Sequence, residues 1–253
     1  MGTSDRRFCL VTGTSSGIGT AVARLLLERA WTVCGVARRS APIEHDLYEH
    51  VALDLGQVGE LDAALGPRLR SRLSDATSRV GLVNNAASAD LLGPVEDIDP
   101  VRLQAVLTVN TVAPIVLTAL ISRLCPPDAA LRVVHVSSAA AVSALPGLAA
   151  YAASKAALRM AGMVIAAEWS SDLPRGRPHR NAAVLSYEPG IVDTDMQTLA
   201  RSHDPARFPW VGMFQAFAER GLLSPAEAPA HEIVAFLETD GHPAFSEQRL
   251  GRT

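Results

Sequence analysis

Short apolar runs alternate along the chain with longer stretches whose apolar positions recur every three or four residues, a rhythm that predicts repeated strand–helix–strand units around a parallel sheet. Residues 8–11, 32–37, 50–53, 80–83, 132–136 and 182–186 read as six strands. Between them, residues 18–30, 60–73, 100–124 and 151–169 carry helical periodicity, with Pro100 near a helix start, where its missing N–H is tolerated. The alternation persists to about residue 190. It predicts an α/β fold, a doubly wound parallel sheet with helices on both faces, in a single domain spanning residues 1–253. Two stretches break the rhythm. Residues 172–180 are basic, contain proline and read as a solvated loop. Residues 193–221 hold Phe208, Trp210, Met213, Phe214 and Phe217, an aromatic density that fits either a hydrophobic staple or a substrate lid over residues 194–217.

Composition narrows this picture by exclusion. The 253 residues are 48% hydrophobic and 19% charged, with a net charge of −3, and suit one globule with a substantial core. They carry neither the basic surface of a nucleic-acid binder nor a membrane-seeking one. Polar residues 1–7 lead into an apolar run of four, too short for a signal segment or a membrane span. Cys9, Cys34 and Cys125 lack metal-ligand spacing, and two of them fall in apolar strand-like runs, as buried thiols do in a reducing compartment. A cytoplasmic protein without a metal site is expected.

Candidate chemistry begins where the first strand ends, in Thr12-Gly13-Thr14-Ser15-Ser16-Gly17-Ile18-Gly19, and runs into a helix. Glycines there let backbone approach a phosphate, and the helix N-terminus offers unpaired N–H groups to its charge. Gly13, Ser15, Ser16, Gly17, Ile18 and Gly19 are thus candidate cofactor contacts, although a tight turn would use the same residues. The second strand ends in Arg38 and Arg39, where a unit binding NAD places an acid for the ribose 2′-hydroxyl. Basic residues there suit a 2′-phosphate, hence NADP(H), or are simply solvated. Asp54, followed by Leu55, stands either to accept from an adenine amino group or to cap a turn. Asn84-Asn85-Ala86-Ala87 closes the fourth strand, and Asn85 and Ala86 form either a site wall or an Asx turn.

Ser138 follows the fifth strand, at the edge where open α/β sheets place ligands. Asn110 lies inside the helix predicted at 100–124, a poor place for Asn, and reads by itself as exposed. Tyr151 and Lys155 stand four apart, on one helical face. An ammonium can lie beside the phenol there and lower its pKa from about 10 toward working pH, making it a general acid or base. The spacing also fits a half-buried ring with a snorkelling lysine.

In this order and at these separations, Thr-Gly-x-x-x-Gly-Ile-Gly, Asn-Asn-Ala, a helical Asn, Ser138 and Tyr-x-x-x-Lys resemble the short-chain dehydrogenases/reductases, over roughly residues 8–196. The resemblance implies a Rossmann-type fold, an NADP(H) cofactor and a small-molecule carbonyl substrate. It makes Tyr151 the proton donor, Lys155 its pKa partner and nicotinamide-ribose ligand, Ser138 the group that polarises the carbonyl, and Asn110 the anchor of a water in the proton relay. Pro189-Gly190-Ile191-Val192-Asp193-Thr194 matches the family's segment at the nicotinamide end, which adds Pro189, Gly190, Val192 and Thr194 as cofactor contacts.

Residues 184–190 and 193–201, with Ala52-Leu53-Asp54-Leu55-Gly56, look like the sepiapterin reductases and their bacterial benzil-reductase-like relatives. That implies reduction of a ketone, in particular a vicinal dicarbonyl, with Trp210 and Phe214 closing over a substrate held at Ser138 and Tyr151. Sepiapterin reductases anchor the pterin with an Asp near the C-terminus, whereas residues 245–253 contain none and Glu247 is the nearest acid. The family's glycine-rich last strand is not recognisable. Alanine-rich faces at 100–124 and 151–169 suit packing between subunits, as in the family's dimers and tetramers. A non-catalytic NADP-binding sensor and an NAD-dependent alcohol dehydrogenase are the other readings of the same residues.

Overall fold

A computed structural model describes residues 6–171 and 181–251; the loop expected at 172–180 lies outside the described residues. Its strands are β1 (Arg6–Thr12), β2 (Thr32–Ala37), β3 (Tyr48–Ala52), β4 (Thr77–Asn84), β5 (Ala130–Val136), β6 (Ala182–Glu188) and β7 (Phe245–Arg249). They pair in parallel in the order β3-β2-β1-β4-β5-β6-β7. The helices are α1 (Gly17–Glu28), α2 (Leu61–Arg72), α3 (Pro100–Leu107), α4 (Ala113–Leu124), α5 (Ala149–Ser170), α6 (Asp195–Arg201), α7 (Val211–Glu219) and α8 (Glu227–Glu238).

Both faces of the sheet are covered, which is why its central strands read as unbroken apolar runs: every residue of β5 is buried. On one face Val133 and Val184 pack against Leu61, Leu65, Leu117 and Leu120 of α2 and α4. On the other, Val11 and Val134 meet Val22 and Leu26 of α1 and Ile233 and Leu237 of α8. The doubly wound architecture expected from the sequence is the one observed.

Four differences from the expected elements have physical causes. Strand β3 starts at Tyr48 because that ring lies against Gly35 of β2, where any side chain would collide with its hydroxyl; the hydroxyl donates to Thr14 Oγ1 at 3.1 Å. Strand β7, unrecognised in the sequence, is a half-exposed edge strand and needs no apolar run. The helix expected at 100–124 is interrupted by a π-turn at Thr108–Val112. Within Pro100–Leu124 an 18-residue stretch has a mean hydropathy of 1.9, enough by length and composition to cross a membrane, but Ala113, Leu117, Leu120 and Ile121 spend that apolar surface on the sheet. Finally, the irregular stretch 193–221 contains α6 and α7.

Candidate active site

The strand order reverses between β1 and β4, and the crevice above their C-terminal ends is where such sheets bind ligands. Thr12 and Asn85 lace that crevice. Thr12 Oγ1 accepts from the N–H groups of Asn85 and Ala86, both at 3.0 Å, and Asn85 Nδ2 donates to Thr12 O at 2.9 Å. Asn85 is therefore a wall that ties two strands together. Close packing dictates the glycines: a Cβ on Gly13, which adopts φ +76°, would lie 2.7 Å from Asn85 Nδ2, and one on Gly19 would collide with the Gly13 carbonyl oxygen. Next to this cradle α1 begins at Gly17 with no acidic residue in its first turn, so its free N–H groups suit an anion. Buried Ile18 and Gly19 anchor that turn in the core, while Ser15 stays partly open. The donor set fits a dinucleotide phosphate.

Around it the remaining cofactor candidates divide. Arg38 is exposed and forms no ion pair with a described residue. Arg39 donates to Asp195 Oδ2 at 3.3 Å, and Ser16 Oγ donates to the same oxygen at 3.1 Å, so both presently hold the first turn of α6. Asp54 Oδ1 accepts from Gly56 N at 2.9 Å, which is the turn-capping role, and Leu55 is buried beside it. Gly190 turns the chain at φ +70°, Val192 is buried and bridges Ser224, and the Thr194 methyl would stand 3.1 Å from a Cβ on Gly17. Pro189 to Thr194 thus carries the chain from β6 back to the glycine loop.

Helix α5 sets Tyr151 and Lys155 on one face. Buried Lys155 donates through Nζ to Val136 O at 2.8 Å, and Nζ stands 5.7 Å from the centre of the Tyr151 ring. Ser138 caps the short turn after β5, its Oγ accepting from Ala140 N at 3.2 Å, and its side chain favours the charged form of the Tyr151 phenol. The lowered phenol pKa expected from the lysine is not what the structure shows. Burial pushes Tyr151 up to about 12 against the pull of Ser138, and the same burial brings Lys155 down to about 8. Desolvation disfavours both charged forms.

Asn110 is fully buried, not exposed. The π-turn rotates it inward, where Oδ1 accepts from Ser88 N at 2.7 Å and Nδ2 donates to Ser88 O at 2.9 Å and to Ser154 Oγ at 3.0 Å. Ser154 in turn donates to Tyr151 O at 2.7 Å. A continuous polar chain so links the loop after β4, the π-turn and the helix of Tyr151. The regular α-helical partner of the Asn110 carbonyl would be residue 114, a proline with no N–H.

Below Lys155 lies a polar row that the sequence reading did not single out. Asn84, His135, Ser186 and Glu247 are register partners across β4, β5, β6 and β7, one pleat above the apolar row Leu82, Val133, Val184 and Phe245. Asn84 Nδ2 lies 3.1 Å from His135 Nδ1, and Gly162 leaves room for the ring, since a Cβ there would be 3.1 Å from His135 Cδ2. Burial, and secondarily the charge of Lys155, takes His135 down to about 3. The folded state therefore excludes a proton that the unfolded chain accepts near the ordinary histidine value, and stability is lost as pH falls from about 6.5 toward 3, at up to about 1.4 kcal/mol per pH unit. Urea unfolding at pH 6.5 and 5 should give a drop about 2 kcal/mol larger in the wild type than in His135→Asn; equal drops would remove His135 as the cause. Glu247, the nearest acid to the expected pterin anchor, is held at 2.5 and 2.7 Å by Arg159 of α5.

The aromatic segment is a staple whose edge faces the site. Phe208 is fully buried and stacks with Phe214 at 5.8 Å, and Trp210 Nε1 donates to Pro146 O at 2.9 Å. Trp210, Phe214 and Tyr151 pack on the same small cluster, built on Ala140, Leu148, Ala200, Phe208 and Val211. Thr12, Ser88, Ser154 and His135 belong to the site's framework and were missed. Their signal is a polar residue set inside an otherwise apolar or alanine-rich run.

A sequence profile described as short chain dehydrogenase matches residues 7–205. The chain belongs to the short-chain dehydrogenase family. Among relatives, a benzil reductase ((S)-benzoin forming) of Bacillus cereus is 29% identical over 94% of this chain and 96% of that protein. A sepiapterin reductase of Bos taurus is 30% identical over 95% of this chain and 92% of its own. The crystal structure of the short-chain dehydrogenase/reductase YIR035C from Saccharomyces cerevisiae superposes with a TM-score of 0.81 at 25% identity, covering 97% and 96% of the two chains. This short-chain dehydrogenase is thus an oxidoreductase related to benzil and sepiapterin reductases, in a family that binds nicotinamide cofactors.

Proposed function

We propose that this short-chain dehydrogenase is an NADPH-dependent reductase of ketones, with vicinal dicarbonyls as its substrates and Tyr151 as proton donor. The observation that carries the reading is the Tyr151 phenol, kept protonated by burial, with Ser138 acting on it and the buried Lys155 Nζ 5.7 Å from its ring centre. A neutral phenol is the form reduction needs, because the developing alkoxide is far more basic than phenolate. When bound, the nicotinamide supplies the hydride to the carbonyl carbon. Tyr151 gives its proton to the oxygen, and Ser138 orients and polarises that oxygen. Lys155 fixes the ribose side of the site and supports the proton lost by Tyr151. The committed side chain of Asn110 holds α5 in place, and its carbonyl is the group left to anchor a relay water. Trp210 and Phe214 exclude solvent from the substrate.

Gly13, Ser15, Ser16, Gly17, Ile18 and Gly19 would hold the pyrophosphate side of the cofactor. Asp54, Leu55, Asn85 and Ala86 would wall its adenosine side, and Pro189, Gly190, Val192 and Thr194 its nicotinamide. NADPH is preferred because Arg38 presents an exposed guanidinium, without an ion pair among the described residues, at the end of β2, with Arg39 beside it. Fluorescence titration should show NADPH binding about tenfold or more tighter than NADH, and Arg38→Ser should close most of that gap; tighter NADH binding sinks the assignment. NADPH oxidation with a panel of diketones and monoketones tests the substrate class. Exposed Val101, Val112, Met160 and Val164 along α3, the π-turn and α5 would be covered by a second copy in a dimer or tetramer. The single domain 1–253, with 194–217 as lid, and the cytoplasmic location are part of the same reading.

A further inference from the structure

Helix α6 buries two residues, Gln197 and Ala200. Gln197 is only 6% exposed, yet its Oε1 has no hydrogen-bond partner among the described residues. A buried amide left unpaired is disfavoured, so the position suits a ligand's polar atom. Its surroundings say which. Ala200, one turn further along the same face, packs in the cluster that includes Ala140 and, at its edge, Tyr151, Trp210 and Phe214. Thr194, three residues earlier, stands beside the glycine loop, where a Cβ on Gly17 would lie 3.1 Å from its methyl. Gln197 therefore stands between the cofactor cradle and the aromatic wall beside Tyr151.

We propose that Gln197 is a specificity-determining residue that hydrogen-bonds the second oxygen of a vicinal dicarbonyl while Tyr151 and Ser138 engage the first, an inference that rests on the reading of this protein as a dicarbonyl reductase. An amide offers either face by a half-turn about its last side-chain bond, so Nε2–H can be presented to a carbonyl oxygen. The unreduced carbonyl keeps that bond through hydride transfer. A monoketone leaves the buried amide unpaired and is the poorer substrate for that reason.

Benzil and deoxybenzoin separate the two cases, since the second replaces one carbonyl by a methylene. Gln197→Met preserves length and removes the amide. It should lower kcat/KM for benzil by about tenfold or more, while deoxybenzoin turnover and the NADPH dissociation constant stay within about twofold of wild type. Equal losses on both ketones, or weakened NADPH binding, overturn the inference. Gln197→Glu keeps the shape but sets an anionic acceptor against the carbonyl, and it should also lose benzil selectively at an unchanged melting temperature; wild-type benzil reduction by Q197E overturns the inference as well. A wild-type enzyme that reduces monoketones and leaves diketones untouched instead overturns the dicarbonyl reading on which it rests.

Discussion

Tyr151→Phe will lower kcat by about 10²- to 10⁴-fold and leave NADPH binding near that of the wild type. The ring lies partly buried in the cluster of Leu148, Phe208 and Trp210, so removing one oxygen preserves its packing. The residues proposed to hold the cofactor phosphates lie instead around Gly13, Gly17 and α1, and Phe touches none of them. What disappears is the acid. Ser138 can still polarise a carbonyl but, as an alkanol, cannot release its proton at neutral pH. With Tyr151 pushed up to about 12, the acid form is present throughout the working range, so the wild-type reduction rate should not fall between pH 6 and 8 through titration of this group. Single-turnover NADPH oxidation reads the first effect and fluorescence titration the second. Retained turnover in Tyr151→Phe refutes the mechanism.

The parts of this protein legible in its sequence are those where local pattern and tertiary burden agree. β2 was bounded to the residue because an apolar run between Thr32 and Ala37 is what a strand covered on both faces requires. The glycine loop was legible because Gly13 and Gly19 have no room for a side chain against Asn85. Strand β7 was hidden for the opposite reason: Phe245–Arg249 pairs only with β6, and its half-exposed edge tolerates Ser, Glu, Gln and Arg. The tuning of Tyr151 was misjudged because spacing reveals a neighbouring charge but not the solvent around it. Burial, which only the fold supplies, acts on Tyr151 and Lys155 together and decides the sign. Likewise Gln197 lies in a helix too short to show periodicity, so nothing in the sequence marked it as buried.

Asn110 was misplaced by propensity for a reason that makes it the second sensitive position. An Asn in mid-helix is unfavourable if the helix is regular, and the sequence offers Pro114 as the only sign that it is not. The π-turn turns the amide into the core, where it makes three bonds: one from Ser88 N, one to Ser88 O and one to Ser154 Oγ. Asn110→Leu would occupy a similar volume and make none of them. The part-buried N–H and C=O of Ser88 would lose their partner and Ser154 Oγ one of its two bonds, at a cost of about 2–4 kcal/mol, which for a chain of this size lowers the melting temperature by about 5–15 °C. Turnover should suffer separately from stability. Ser154 donates to Tyr151 O, so loosening it lets the first turn of α5 shift, and a displacement of about 1 Å at the proton donor costs about 10²-fold in kcat. Asn110→Asp, which keeps the acceptor for Ser88 N but loses both donations of Nδ2, to Ser88 O and to Ser154 Oγ, should recover little of the rate. Kinetics at 15 °C, well below either melting transition by that estimate, separate the two effects. A folded Asn110→Leu enzyme with wild-type kcat would show that the chain from Ser88 to Tyr151 supports the fold and not the reaction.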